Sequence, residues 1–448
     1  MNNIARNFFQ FAGVHSLLIG LLPFFIPVLL LQQGASIEGI ALFIAVTGIG
    51  FIASLKLWEI IYHRANWRLI TAASFVVEIL LVAALLFSDE SLLLLCAALL
   101  NGAYNCFYWT TQRVLFSTMT AEPVHHTTNQ SFTDQQNPAD HQTGRNFGNF
   151  QIVVVVLLKL GIIISAFLLE AGYEFQLWFL STVISVSAML WFLRADSLSA
   201  FSAINPSLAE PAPSETDEQS PTGLKQASHR SIFSFKDEHN SAVVFYLDGV
   251  FLFLESYFWV ISLYYITQEN VKQLGLIVVT LTIFLSVIFY LLKNRIDGMD
   301  RNKVYITAVV FYALSWLLRS ALDTELPTYW IYPAILVIAF LTTFFRLSFN
   351  KRFFDNARQQ SPLQYLLAKS YLSQMGIVVF YSLIALLAFY FTDIQSALSS
   401  VYLILTPIAL IYLVYTSPGE AITTAETGLN GSDSATAPAN LQLSKTEH

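Results

Sequence analysis

"FYLDGVFLFLESYFWV", residues 245–260, is apolar and aromatic except for Asp248, Glu255 and a serine. Whether it crosses a membrane decides the fold, and the surrounding chain says that it does. The protein has 448 residues, of which 55% are hydrophobic and only 12% charged. Soluble domains carry about 25% charged residues. The apolar residues also come in blocks of roughly 20, the length that crosses a hydrocarbon core. Twelve blocks are predicted as spans: Phe11–Leu31, Ile40–Leu57, Leu69–Phe87, Leu92–Val114, Phe150–Leu169, Phe175–Leu193, Ala242–Ile266, Leu274–Leu292, Val304–Leu322, Trp330–Phe349, Leu366–Phe391 and Ala397–Tyr415. In lipid the backbone must satisfy its own hydrogen bonds, so runs this long are helices. Barrel strands would be half as long and would alternate in polarity.

The first run is too long for a signal peptide, lacks a clear small-residue cleavage site, and is expected to stay as a span. Cys96 and Cys106 share the fourth block, so no disulfide framework is implied. The net charge of −7 is spread over loops and tail, and no nucleic-acid partner is expected. An even number of spans puts both termini on one side, and Lys and Arg indicate which side. With the N-terminus cytoplasmic, 19 of the 23 lie inside or at the inner interface; Lys272 and Arg319 lie outside, and Lys159 and Arg346 within spans. The expected location is the cytoplasmic (inner) membrane, with lipid as a partner and a monomeric state.

Residues 195–238 include "INPSLAEPAPSETDEQSPTG", rich in Pro, Ser and Glu, and are predicted to be a disordered cytoplasmic linker. It separates an N-terminal six-helix bundle (1–194) from a C-terminal one (239–416). Residues 417–448 are predicted to be a disordered tail. The halves also match when shifted by 236 residues. Gly13 falls on Gly249, Val14 on Val250, Leu18 on Leu254, Gln32 on Gln268 and Gly39 on Gly275. Repeats of this kind mark transporters with a site at the repeat interface.

Six spans, a long linker, six spans and similar halves resemble the major facilitator superfamily. The loop "KLWEIIYHRANWRL" between the second and third spans keeps only basic residues of that family's motif, such as Arg64 and Arg68. The corresponding loop of the second half, "KNRIDGMDRNKV", keeps Gly298, Asp300, Arg301 and Lys303. The resemblance implies an all-α membrane fold of twelve helices in two pseudo-symmetric bundles. It also implies that the first, fourth, seventh and tenth helices line a central cavity flanked by the second, fifth, eighth and eleventh.

A charge at a helix centre costs about 2.5–3.5 kcal/mol on insertion scales, so buried ionisable groups are functional candidates. Glu255 is near the middle of the seventh span, and Asp248 is two turns nearer the cytoplasm on the same face. Lys159, Arg346 and His15 are on other helices that the resemblance brings to the cavity. Each has a structural alternative: Arg346 can snorkel, His15 can be a neutral interhelical residue, and Lys159 with Glu255 can be a static ion pair. Glu78, on a helix expected at the periphery, fits no such scheme. In the fourth span Asn101, Tyr104, Asn105, Tyr108 and Gln112 recur at helical spacing and form one polar face. That face either lines the cavity or bonds to neighbouring helices. Gln374 and Lys369 lie in the inner half of the eleventh span.

No metal site is expected from His125, His126, His141, Asp134 and Asp140, which lack ligand spacing, and no cofactor is implied. There is no phosphate-binding glycine loop. The expected function is secondary transport of a small organic solute by alternating access. Proton coupling is assigned to Glu255, with Lys159 as its switchable partner and Asp248 held by Arg346. A non-transporting receptor or assembly protein of the same fold is one alternative; an intramembrane enzyme is another, weakened by the lack of a nucleophile–base constellation.

Overall fold

In a computed structural model the chain is helical throughout the residues described, which are 3–64, 66–86, 91–120, 138–194, 237–297, 300–322, 327–359, 362–388 and 394–415. Residues 195–236 of the predicted linker, the predicted tail (417–448), and His125, His126 and Asp134 lie outside them, as do the side chains of Asp140 and His141. The helices run in order: α1 Asn3–Leu21, α2 Ile26–Gln32, α3 Ile37–His63, α4 Trp67–Leu86, α5 Ser91–Asn105, α6 Thr111–Thr120, α7 Pro138–Glu170 and α8 Glu174–Arg194. After the linker come α9 Ser241–Phe253, α10 Trp259–Ile266, α11 Val271–Asp297, α12 Arg301–Ser320, α13 Thr328–Gln359, α14 Pro362–Ala388 and α15 Ile394–Ala409.

Ten helices among the described residues are long and apolar enough to cross a membrane. The two other predicted spans are helical but are not among these ten. The fourth is broken into α5 and α6 by a π-helical turn at Cys106–Thr110. The ninth, α12, carries Arg301, Lys303 and Arg319, which lower its hydropathy. Its first turn is capped by Asp300, which accepts from the N–H groups of Asn302 (2.8 Å) and Lys303 (3.1 Å). Those backbone donors hold the Asp300 carboxyl below its ordinary range. Pro23 and Pro27 fall where the first span breaks at a 3₁₀ turn, Pro23–Phe25, between α1 and α2. Proline removes a helical hydrogen bond, which explains the break.

Packing partners recur between the two parts of the chain. α1 packs on α7 as α9 packs on α14; α4 packs on α8 as α12 packs on α15; and α4 meets α5 as α12 meets α13. Across the two parts, α3 packs on α14 and α7 on α11. Glycines make the first of these pairs close. A Cβ on Gly20 would sit 2.2 Å from the Leu158 carbonyl oxygen, and one on Gly161 would sit 2.2 Å from that of Leu17. At the α9–α14 crossing, a Cβ on Gly249 would meet the Ser373 oxygen at 2.2 Å, and one on Gly376 the Tyr246 oxygen at 2.1 Å. Without a hydrophobic driving force between helices in lipid, such small-residue contacts carry association.

Candidate functional site

The sequence decides which faces can meet. The polar stripe of the fourth span turns toward α9, and Asn101 donates to the Tyr257 hydroxyl at 2.9 Å and to Thr47 at 3.2 Å. A second π-helical turn, Leu254–Phe258, joins α9 to α10. π turns insert a residue and are frequent at functional sites. Here the insertion lets Ser256 and Tyr257 line a cavity while Glu255, just before them, reaches back toward α12 and α13.

That cavity has a volume of about 470 Å³ and is bordered by α1, the fourth span, α9, α13 and α14. Such a volume suits a small organic ligand. Asp248, Arg346, Lys369 and Arg113 are its charged lining residues, together with Tyr104, Asn105 and Gln374 from the candidates read in sequence. The Asn105 amide bonds back to the Asn101 carbonyl at 2.8 Å. The Gln374 side-chain oxygen and the Tyr104 hydroxyl are buried without a hydrogen-bond partner among the described residues.

One guanidinium organises the acids. Arg346 donates through Nη1 to Asp248 Oδ1 at 2.5 Å, and through Nε and Nη2 to the two oxygens of Glu255, each at 3.0 Å. The Tyr312 hydroxyl donates to Glu255 Oε1 at 2.5 Å. Lys369 Nζ lies 3.0 Å from Asp248 Oδ2, and the Tyr412 hydroxyl lies 3.4 Å from Oδ1. Asp248 is buried, and Arg346 is itself only slightly exposed. A bidentate guanidinium–carboxylate pair is among the stronger polar contacts and fixes geometry as well as charge.

The remaining candidates lie elsewhere. Glu255 meets Arg346, not the Lys159 expected from sequence. Lys159 sits half-buried on α7, which packs against α1 and α11, and it makes no ion pair among the described residues. The pairing of Asp248 with Arg346 read from their shared depth is present, but nothing in the sequence says that Glu255 meets the same cation. His15 does not line the cavity either. It is buried against α4, with Nε2 2.8 Å from Ser74 Oγ, Nδ1 3.6 Å from Glu78 Oε2, and its ring stacked on Phe75 at 4.1 Å. Tyr108 packs on His15 at 4.6 Å between ring centroids. Arg319, read as an outer-loop cation, is buried between Trp316 and Trp259 and bonds to Ser315 and Thr342. Lys369 and Arg113 were visible in the sequence as basic residues at the inner parts of their spans, and neither was singled out as a site residue.

No family model and no curated protein matches the sequence. Among solved structures the chain resembles the crystal structure of the nucleoside transporter NupG. The identity is 13%, covering 95% of this chain and 100% of that one, with a TM-score of 0.58. It also resembles a point mutant of that transporter, at 14% identity over 92% of this chain and 98% of the other, with a TM-score of 0.55. At such identities the likeness is one of fold. The chain is a multi-pass membrane protein with the fold of a membrane transporter.

Proposed function

We propose that this protein is a secondary active transporter that carries a small organic solute across the cytoplasmic membrane, working as a monomer by alternating access. Twelve spans form two six-helix bundles, residues 1–194 and 239–416, which rock about the cavity with both termini cytoplasmic. The observation that carries this reading is the 470 Å³ cavity, lined from both parts of the chain and holding a buried charge network. The repeated packing of α1 on α7 and α9 on α14 supports the two-bundle arrangement, and the excess of Lys and Arg on one side supports the orientation.

Proton coupling is assigned to Glu255 and Asp248 through Arg346. The guanidinium grips both acids at once, and a buried carboxylate is costly as an anion without its cation. A movement of α13 relative to α9 that breaks the bidentate contact draws a proton to Glu255, and re-forming the contact releases it. Asp248, held also by Lys369, stays ionised.

The test is solute-driven proton movement in sealed vesicles containing the purified protein, with a pH-sensitive dye inside. A transported solute is expected to move protons with wild-type protein. Glu255→Gln is expected to bind the solute but lose dependence on an imposed pH gradient. Binding without any flux by wild type would instead favour a receptor of transporter fold. Gradient-driven flux that survives Glu255→Gln and fails in Asp248→Asn reverses the two roles.

A further inference from the structure

The charges that line the cavity do not balance. Arg113, Arg346 and Lys369 contribute three cations, and Asp248 contributes the one acid among the lining residues. Glu255 reaches Arg346 from the side and offsets one more. Lys369 and Arg346 are both satisfied by Asp248 and Glu255. Arg113 makes no ion pair among the described residues. One positive charge therefore remains on the cavity wall without a carboxylate partner among the described residues.

The surroundings of that charge are equally specific. Gln112 lies beside Arg113, and Asn350 lines the same cavity, so amide donors accompany the cation. Aromatic residues line the same cavity, among them Trp109, Phe116, Phe353 and Phe354, with Phe116 and Phe354 5.2 Å apart between centroids. A guanidinium presents a planar fork of donors that matches an oxyanion, and aromatic faces match a flat apolar body.

We infer that the cavity takes a small organic monoanion, an oxyanion group on a flat apolar body, with Arg113 receiving the charged group. This rests on the transporter reading for its biological direction, and it concerns the chemistry of what is bound. Bound anion brings the network to neutrality: Arg113 pairs with ligand, Lys369 and Arg346 with the two carboxylates. Electrostatic attraction also concentrates anions at such a site. A neutral solute of the same shape leaves Arg113 uncompensated and loses the strongest directional contact.

The experiment is a binding measurement on the full-length protein in detergent, by thermal shift and then by calorimetry. The probes are the monoanions benzoate, indole-3-acetate, methyl phenyl phosphate and the methyl ester of uridine monophosphate, each against a neutral counterpart: benzamide, indole-3-acetamide, phenol and uridine. At least one anion is expected to bind at least tenfold more tightly than its neutral counterpart, and the carboxylate and phosphate arms separate the two kinds of oxyanion. Arg113→Gln is expected to abolish that preference, and Arg113→Lys to restore part of it; monodispersity on gel filtration confirms that each variant folds. Equal binding of neutral and charged members, an unchanged preference in Arg113→Gln, or no binding by any anion of the panel overturns the inference. Flux of a neutral solute that is indifferent to Arg113→Gln also overturns it while leaving the transporter reading intact. Anion binding without flux does the reverse.

Discussion

Two groups of ionisable side chains lie buried among the helices, and they are built differently. In the C-terminal part, Asp248 and Glu255 are both met by cations, Arg346 and Lys369, at 2.5–3.0 Å. In the N-terminal part, His15 and Glu78 stand 3.6 Å apart, and both oxygens of Glu78 have no hydrogen bond among the described residues. The first group borders the cavity; the second is packed between α1 and α4 among aromatic rings. Charges that must remain charged need exact matching, because a guanidinium does not give up its proton. A histidine–glutamate pair can stay neutral as a unit, so it tolerates a looser fit.

The strongest way to break this comparison is to remove the shared guanidinium. Arg346→Gln leaves two carboxylates facing a neutral amide, with only Lys369 to compensate. Removing one member of a buried ion pair costs about 3–5 kcal/mol in soluble proteins. The expected result is a large fall in melting temperature or loss of folded protein on gel filtration. Arg346→Lys should rescue little, since an ammonium cannot make the bidentate contact. The double variant Arg346→Gln/Glu255→Gln should recover part of the loss. Full stability of Arg346→Gln alone would mean that the acids are carried neutral and that the two regions do not differ.

Lys369 offers a finer division. Among the described carboxylates it reaches Asp248, which keeps Arg346 when the lysine is replaced. Lys369→Met should therefore cost less than Arg346→Gln, roughly 1.5–3 kcal/mol as for a hydrogen bond to a charged group. Thermal melts of the two variants side by side give the ranking. The reverse order would make Lys369, not Arg346, the residue that holds the network together. Lys159→Ala should be milder than either, because it leaves no carboxylate without its cation.

What could be read from the sequence follows from the length scale of each feature. The spans and their helical state come from runs of about 20 apolar residues, a signal that needs no tertiary information. The 236-residue register finds no support in the close glycine contacts: Gly249 meets the Ser373 backbone as Gly20 meets the Leu158 backbone, whereas Gly13 meets the side chains of Leu157 and Val153. Both acids of the opening stretch were legible as unusual, and Asp248 and Glu255 do share one cation. Arg346 was legible as the cation of Asp248, and that contact is present; the cation of Glu255 was not legible. It depends on the rotation of α9 and α13 about their axes, and periodicity gives no absolute phase. The π turns were also invisible, because a one-residue insertion leaves no mark in composition. The pairing of Glu78 with His15 required knowing that α4 lies against α1.

The smallest expected effect sharpens the other side of the comparison. Ser74 donates its hydroxyl proton to the Thr71 carbonyl at 2.6 Å, so the 2.8 Å contact with His15 must be donated by His15 Nε2–H. That leaves Nδ1 toward Glu78, and a single proton serves the pair. It sits either on the carboxyl, facing the Nδ1 lone pair, or on Nδ1, facing the carboxylate. Both arrangements have zero net charge, so burial without further partners is tolerable. Glu78→Gln reproduces the first arrangement, since an amide N–H can face Nδ1. It should shift stability by no more than about 1 kcal/mol, the worth of one neutral hydrogen bond, and should leave gradient-driven flux unchanged, because neither His15 nor Glu78 lines the cavity. Glu78→Leu removes the donor and should cost more than Glu78→Gln. The measurement is a thermal melt of both variants together with proton-coupled uptake in vesicles. If Glu78→Gln abolishes the pH dependence of uptake while Glu255→Gln keeps it, proton coupling belongs to the N-terminal pair, and the network around Arg346 is a static scaffold for the binding site.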